Sequence, residues 1–291
     1  MKKIFKPFKK TSVTAHANAK INLTLGVLGK REDGYHLVDT IMQSVSLFDT
    51  VTVAESEKLV VKFGNKTIDS EDSISYKAAL LFFEDTKISK GAKIHIKNRI
   101  PTGSGMGGGS ADAAAVLLSL DRLYKTQLPT EKLEEIGLKL GADVPFFIRG
   151  GAMRAEGIGE KLTPLTPLKK GYFVLAKADS KPSTAQMYAL IDSEQPPLPE
   201  TELAVKALSE ENTTLLSSLF VNSFTSVWKD SPLKKRLLDF EPDGVSLSGS
   251  GPTWFAYFTE KKKALKAYKA LKREKIECFI SEPKSIAINF E

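Results

Sequence analysis

Ten consecutive residues, Pro101-Thr102-Gly103-Ser104-Gly105-Met106-Gly107-Gly108-Gly109-Ser110, carry the densest chemical signal in the 291-residue chain. Glycines this close together let backbone N–H groups converge on an anion, and the apolar, alanine-rich run that follows marks a helix whose positive end adds to the attraction. Phosphate suits such a nest best. Two nucleotide loops with similar spelling fit poorly. Gly103-x-Gly105-x-x-Gly108 has the spacing of a dinucleotide fingerprint, but the strand before it alternates Ile94-His95-Ile96-Lys97 where a buried parallel strand would be continuously apolar. Asp121, near the offset of a ribose-binding acid, falls inside the following helix. No Gly-Lys-Ser/Thr closes the loop, so it is not a Walker loop either. Ser110 stands where it can cap the helix or offer its hydroxyl to a magnesium ion.

Three other places carry chemistry. A second glycine cluster, Ser248-Gly249-Ser250-Gly251-Pro252, allows positive φ and close backbone approach to a ligand, or forms a plain strand connection. Asp143 lies in Gly141-Ala142-Asp143-Val144-Pro145-Phe146-Phe147, where apolar neighbours would desolvate a carboxylate and strengthen it as a base; a turn or cap residue is the competing reading. Lys20 shares the polar face of a strand with Asn18 and Asn22, a face that solvent would ordinarily wash. The single cysteine, Cys278, excludes an internal disulfide, and no Cys/His cluster has metal-site spacing.

The elements that must position these residues follow from periodicity. Ala15 to Val27 is apolar at every odd position and mostly polar between, a strand with one buried face. A charged Gly29–Gly34 turn follows, with Tyr35 and His36 after it, and Thr50–Val53 reads as a further strand. Ser75–Phe83 is helical, Ala92–Ile100 alternates, and the glycine loop leads into a helix over Ser110–Tyr124, with Ser110 as N-cap. A helix over Thr130–Leu140 stops at Gly141. After Gly157-Ile158-Gly159 the chain begins afresh at Tyr172–Ala176, with helices over Thr214–Trp228 and Lys261–Lys275 flanking a strand at Trp254–Phe258. Strands and helices mix without strict βαβ alternation, which makes the fold class α+β. Two lobes are expected, residues 1–160 and 161–291, with the acidic, proline-rich Asp192–Glu202 as an exposed loop inside the second.

The composition is that of a globular protein, 42% hydrophobic and 26% charged, and the formal charge of +7 favours anionic ligands. Part of that charge sits in Lys2, Lys3, Lys6, Lys9 and Lys10, read as a solvated arm. No basic stripe interleaved with aromatics is evident, so nucleic acid is not an expected partner. No apolar run approaches the length of a membrane span, and a cytoplasmic location is expected.

Taken together, these segments resemble the GHMP kinase superfamily over nearly the whole chain. The Pro101–Ala114 loop and helix start and the Ser248–Thr253 loop match the superfamily. Ala17-Asn18-Ala19-Lys20-Ile21-Asn22-Leu23, Asp33-Gly34-Tyr35-His36 and Gly141-Ala142-Asp143-Val144-Pro145 resemble the branch acting on 4-diphosphocytidyl-2-C-methyl-D-erythritol in non-mevalonate isoprenoid biosynthesis. The resemblance implies a ribosomal-protein-S5-like N-terminal lobe, a ferredoxin-like C-terminal lobe and a site between them. It implies ATP with Mg2+ and transfer of the γ-phosphoryl group to the substrate 2-hydroxyl. Catalysis would fall to Lys20 and Asp143, and the ATP phosphates to Pro101, Gly103, Ser104, Gly105, Met106, Gly107, Gly108, Gly109, Ser110, Gly249, Ser250 and Gly251. Asn22, Tyr35, His36 and Tyr188 would hold the cytidylyl substrate, with Ser110 as a metal ligand. The sequence departs from the family pattern at Ser73-Ile74 and Lys97-Asn98, near the expected adenine, and has Ala111 where a second serine is common. The alternatives are another GHMP small-molecule kinase and a catalytically silent, ligand-sensing member.

Overall fold

The computed structural model describes residues 11–64, 66–68, 73–179, 182–228 and 230–291. The lysine-rich segment of Lys2, Lys3, Lys6, Lys9 and Lys10 lies outside them. The first part of the chain forms β1 (Ser12–Lys30), β2 (His36–Ser56), β3 (Val60–Phe63), β4 (Lys66–Ile68), α1 (Ile74–Thr86), β5 (Gly91–Lys97), α2 (Gly108–Tyr124), α3 (Thr130–Leu138), α4 (Val144–Arg149), β6 (Ala152–Gly157) and β7 (Lys161–Leu165). The second forms β8 (Tyr172–Lys177), α5 (Thr184–Ile191), α6 (Thr201–Ser209), α7 (Thr213–Ser218), a 3-10 turn at Ser223–Ser226, α8 (Pro232–Leu238), β9 (Gly244–Leu247), β10 (Thr253–Phe258), α9 (Lys261–Arg273), β11 (Cys278–Ser281) and β12 (Ile288–Phe290).

Two sheets result. The larger runs β12-β1-β2-β5-β3-β4, with β6 on the other half of β2 and β7 beyond it. The smaller is antiparallel in the order β11-β8-β10-β9, the ferredoxin-like arrangement of a βαββαβ unit. The α+β expectation therefore holds. The division at residue 160 does not follow the sheets: Gly157–Glu160 is the turn of a β6–β7 hairpin, so β7 extends the larger sheet, and β12 returns to pair with β1. Composition marked a turn there; only the pairing shows on which side of the boundary it falls.

The sheets also share a core. Ala19, Ile21 and Leu23 of β1 and Ile41 and Val45 of β2 pack in one apolar cluster with Phe173, Leu175, Phe255 and Tyr257 of the smaller sheet. Burying this seam fixes the two lobes relative to one another. One consequence overturns the one-faced reading of β1. Its even positions are buried too, with Asn18 and Lys20 at 5%, Asn22 at 2% and Thr24 at 0% exposure. A buried lysine and its amide neighbours need partners, and those partners build the site.

Candidate active site

The glycine loop is pinned to β1, since the Lys20 backbone N–H donates to the Met106 carbonyl (3.0 Å). The Met106 side chain itself is fully buried in the core between the sheets, so it anchors the loop and does not face the cleft. Gly107 adopts φ +73° and caps α2, which begins at Gly108, two residues before the expected start. Ser110 is thus inside the first turn and not the N-cap, which leaves its hydroxyl free of a capping role. Gly107 has a second constraint: a Cβ there would lie 2.6 Å from the Phe147 ring and 3.2 Å from Lys20 Cγ. Only a residue without a side chain lets the lysine stem and the α4 ring close over the loop.

The second glycine cluster meets the first directly. Gly105 has φ +79°, and a Cβ there would sit 2.3 Å from the Ser248 carbonyl oxygen. The Ser248 hydroxyl donates to the Gly105 carbonyl (2.9 Å), and the Thr253 N–H donates to that of Ser104 (3.3 Å). Asn222, fully buried, donates to the Leu247 and Gly249 carbonyls at 2.7 and 2.9 Å. This buttress explains why the helix expected over Thr214–Trp228 is broken: Asn222 leaves helical geometry to hold the loop and to cap the 3-10 turn. An asparagine at that point is the signal sequence reading passed over.

Lys20 reaches the cleft from the floor. Its ammonium donates to Asn22 Oδ1 (2.8 Å) and stands 3.6 Å from Asp143 Oδ2. Asn22 Oδ1 also accepts from the Gly249 N–H (2.9 Å), and its amide donates to Thr40 Oγ1 (2.8 Å), which fixes the amide orientation. Asp143 precedes α4, and its side chain makes no capping bond there. Val144, Phe146 and Phe147 are buried and anchor α4, but the Asp143 side chain is 38% exposed and faces Lys20. The apolar neighbours therefore do not enclose the carboxylate, which stays partly open to solvent with the Lys20 ammonium beside it.

Three adjoining cavities radiate from this point. One is walled by the glycine loop from Pro101 to Ser110 together with Asp49, Ile74, Asn98 and Asp112. The second contains Lys20, Asn22, Asp143, Gly249 and Ser250, and shares Gly103, Gly105 and Gly107 with the first. The third opens from it past Ile158, Thr184 and Tyr188 toward Tyr35 and His36. Gly251 is buried in the turn behind and lines neither of the first two. The His36 ring stacks on Tyr188 (centroids 4.4 Å apart, 22° between planes), with Phe224 edge-on to the tyrosine. Tyr35 is 60% exposed at the rim. Burial, reinforced by the Asp143 charge, pushes the Tyr188 phenol up to about 12, so it stays protonated.

The match to known proteins agrees with this geometry. The GHMP kinases N terminal domain matches residues 73–151, which span α1, the glycine loop, α2 and Asp143. A 4-diphosphocytidyl-2-C-methyl-D-erythritol kinase of Acetivibrio thermocellus is 40% identical over 93% of this chain and 99% of its own. One from Clostridium acetobutylicum is 39% identical over 91% and 98%. The chain belongs to the 4-diphosphocytidyl-2-C-methyl-D-erythritol kinase family of GHMP kinases. A crystal structure of a 4-(cytidine 5'-diphospho)-2C-methyl-D-erythritol kinase superposes with TM-score 0.80 at 31% identity, over 93% of this chain and 98% of that one. The mevalonate kinase of Methanococcus jannaschii, 15% identical with TM-score 0.73 over 96% and 100%, shares the fold.

Sequence reading missed two acids. Asp49 (β2) and Asp112 (α2), 0% and 2% exposed, stand behind the glycine loop with one amide between them: Asn98 Nδ2 lies 3.2 Å from Asp49 Oδ2 and 3.4 Å from Asp112 Oδ2. Asp49 also accepts from the Arg99 and Ile100 N–H groups. Asp112 Oδ1 has no hydrogen-bond partner among the described residues. Burial raises the Asp112 carboxyl well above the usual range, and the Asp49 charge adds to the effect. Burial also raises Asp49, against its backbone and Asn98 hydrogen bonds.

Proposed function

We propose that the chain phosphorylates the 2-hydroxyl of 4-diphosphocytidyl-2-C-methyl-D-erythritol with ATP, giving ADP and the 2-phosphate in isoprenoid precursor synthesis. One observation carries this reading: Gly103, Gly105 and Gly107 form a common wall between two cavities, and the second holds the Lys20–Asp143 pair. A phosphate chain laid along the loop in the first cavity puts its terminal phosphorus at the shared wall, within reach of a hydroxyl in the second.

The division of labour follows from charge and position. Backbone N–H groups of residues 103–109 and the N-terminus of α2 take the negative charge of the phosphates. Asp143 accepts the hydroxyl proton as the new oxygen–phosphorus bond forms, and the bridging oxygen leaves with ADP. Lys20, held by Asn22 and Asp143, orients the acceptor oxygen and offsets charge on the transferring group. Phosphoryl transfer proceeds through a loose transition state, so this alignment matters as much as proton removal. The site fits a magnesium ion: Ser110 Oγ and the unpartnered Asp112 Oδ1 are hard oxygen donors beside the loop. No group of three or more His, Cys, Asp or Glu side chains suited to a metal occurs among the described residues, so a bound magnesium would take its other ligands from phosphate and water. When bound, magnesium neutralises phosphate charge. Tyr35, His36 and Tyr188 receive the cytosine, and Gly249 and Ser250 close the acceptor side next to the transferring phosphate. We place the reaction in the cytoplasm, where ATP is at hand and the unpaired Cys278 remains reduced.

Coupled ADP release from purified protein tests the proposal across the cytidylyl substrate, mevalonate, phosphomevalonate and homoserine. Turnover of the cytidylyl compound alone is expected. Preference for another alcohol assigns the chain a different kinase activity, and silence on all four makes it a ligand-sensing member.

A further inference from the structure

We propose that Asp192 is a positioning residue: it fixes which nitrogen of His36 carries the proton, so that the site reads the amino group of cytosine and rejects the carbonyl of uracil. The inference rests on His36 facing the cytosine in the proposed reaction, and concerns a residue outside the glycine loops and the Lys20–Asp143 pair. Asp192 follows α5 as its C-cap, while His36 opens β2 and Lys30 ends β1. The three side chains converge at the outer end of the cleft. His36 Nε2 lies 2.7 Å from Asp192 Oδ1, and Lys30 Nζ lies 3.2 Å from Asp192 Oδ2.

The chemistry is directional. The hydrogen bond from His36 and the nearby Lys30 ammonium hold the Asp192 carboxyl below its ordinary range, so it is ionised and can only accept. Nε2 must therefore be the protonated nitrogen. In a neutral imidazole that leaves Nδ1 as a bare acceptor, and Nδ1 makes no hydrogen bond among the described residues. Stacking on Tyr188 fixes the ring plane, so the acceptor edge cannot rotate away. Asp192 and His36 both line the third cavity, so this edge borders the space a base would enter. Cytosine presents an N4 amino donor to it, whereas uracil presents O4 and sets one lone pair against another. A correctly placed base contact of this kind discriminates roughly ten- to a hundredfold.

The test compares kcat/KM for the cytidylyl substrate and its uridylyl analogue in wild type, Asp192→Asn and Asp192→Glu. An asparagine can turn its amino group to Nε2 and release the proton to Nδ1. The expected result for Asp192→Asn is a loss of about tenfold or more in cytidylyl-over-uridylyl preference, carried by KM, with kcat and the ATP KM unchanged. Asp192→Glu should recover part of the preference. The chain has only three histidines, so imidazole 15N spectra can be assigned with a His36→Asn control. Recorded at alkaline pH, where an imidazole is neutral, they should show Nδ1 unprotonated in wild type and a shift toward the other tautomer in Asp192→Asn. An unchanged preference with wild-type kcat overturns the proposal, as does an unchanged tautomer. If wild type fails to turn over the cytidylyl compound, the functional reading falls, and the spectra still decide whether Asp192 sets the His36 proton.

Discussion

Substituting Gly105→Ala tests whether the apposition of the two glycine loops sets the rate. Two effects are expected, and they separate. The first is local: at φ +79° an alanine pays the left-handed backbone penalty of about 1–2 kcal/mol. The second is a collision. The new Cβ would stand 2.3 Å from the Ser248 carbonyl oxygen and 2.9 Å from that of Gly251, where ordinary contact begins at 3.4 Å. Both partners are backbone, so neither can rotate aside, and the loops must part by roughly an ångström. That movement reaches the chemistry through a short chain of contacts: Ser248 Oγ on the Gly105 carbonyl, the Gly249 N–H on Asn22 Oδ1, and Asn22 Oδ1 on the Lys20 ammonium. A misplacement of about 1 Å at reacting groups lowers rates roughly 100-fold, equivalent to about 2.7 kcal/mol of barrier. Gly64→Ala is the control, because Gly64 has φ +55° and no atom of the described residues lies within 4 Å of its would-be Cβ. Thermal melts should show the backbone penalty alone for Gly64→Ala and a larger loss of stability for Gly105→Ala, where the collision adds to it, and steady-state ADP release is then read on the folded variants. Only Gly105→Ala should lose about two orders of magnitude in kcat/KM. A folded Gly105→Ala enzyme with the kinetics of Gly64→Ala would refute the coupling of the loops to Lys20.

Three further outcomes follow from the same geometry. Asp143→Asn should keep the melting temperature, since the carboxylate caps no helix, and should retain ATP affinity by calorimetry while kcat falls about 10²- to 10⁴-fold; near wild-type kcat removes Asp143 from proton transfer. Tyr188→Leu retains bulk against Phe224 but removes the ring beneath His36, and should raise KM for the cytidylyl substrate about three- to tenfold without changing that for ATP; equal losses for both ligands would contradict a role confined to the base. Asp112→Asn should change how stability depends on pH in nucleotide-free, metal-free protein. The native carboxyl is raised above 3.8, so between that value and the raised one the folded state holds more protons than the unfolded state. Stability therefore falls as pH rises across this window, by up to about 1.4 kcal/mol per pH unit, and then levels off. The amide removes the Asp112 share of that fall and leaves the share of Asp49, which is also raised, so melts at pH 8 should favour the variant and melts at pH 4 should not; parallel pH profiles would show that Asp112 is not the group responsible.

What could be read from the sequence, and what could not, divides along physical lines. The glycine loop was legible because its signal is local: several glycines before an alanine-rich helix need no knowledge of the rest of the chain. The start of that helix was placed two residues late because Ser110 is a good cap by type, whereas Gly107 takes the capping place through a left-handed backbone that Phe147 and Lys20 demand from elsewhere in the fold. The wet reading of Lys20 failed for a related reason. A period of two identifies a polar face but not what covers it, and here the glycine loops and Asp143 close over β1 so that the face becomes the floor of the cleft. Asp112 did leave a trace. It shares a helical stripe with Val116 and Ser119, at spacings of four and seven, and all three are buried. A carboxylate on such a stripe has to lie inside the protein, where it requires a partner or a raised proton affinity. Asp49 left no comparable trace, since its burial depends on the Asn98 side chain and the Arg99–Ile100 backbone folding back over β2. Residues that act through one element were therefore visible in the pattern, while Asn222, Asp49 and Asp192 act by joining elements distant in the chain, and only the assembled fold brings their partners within reach.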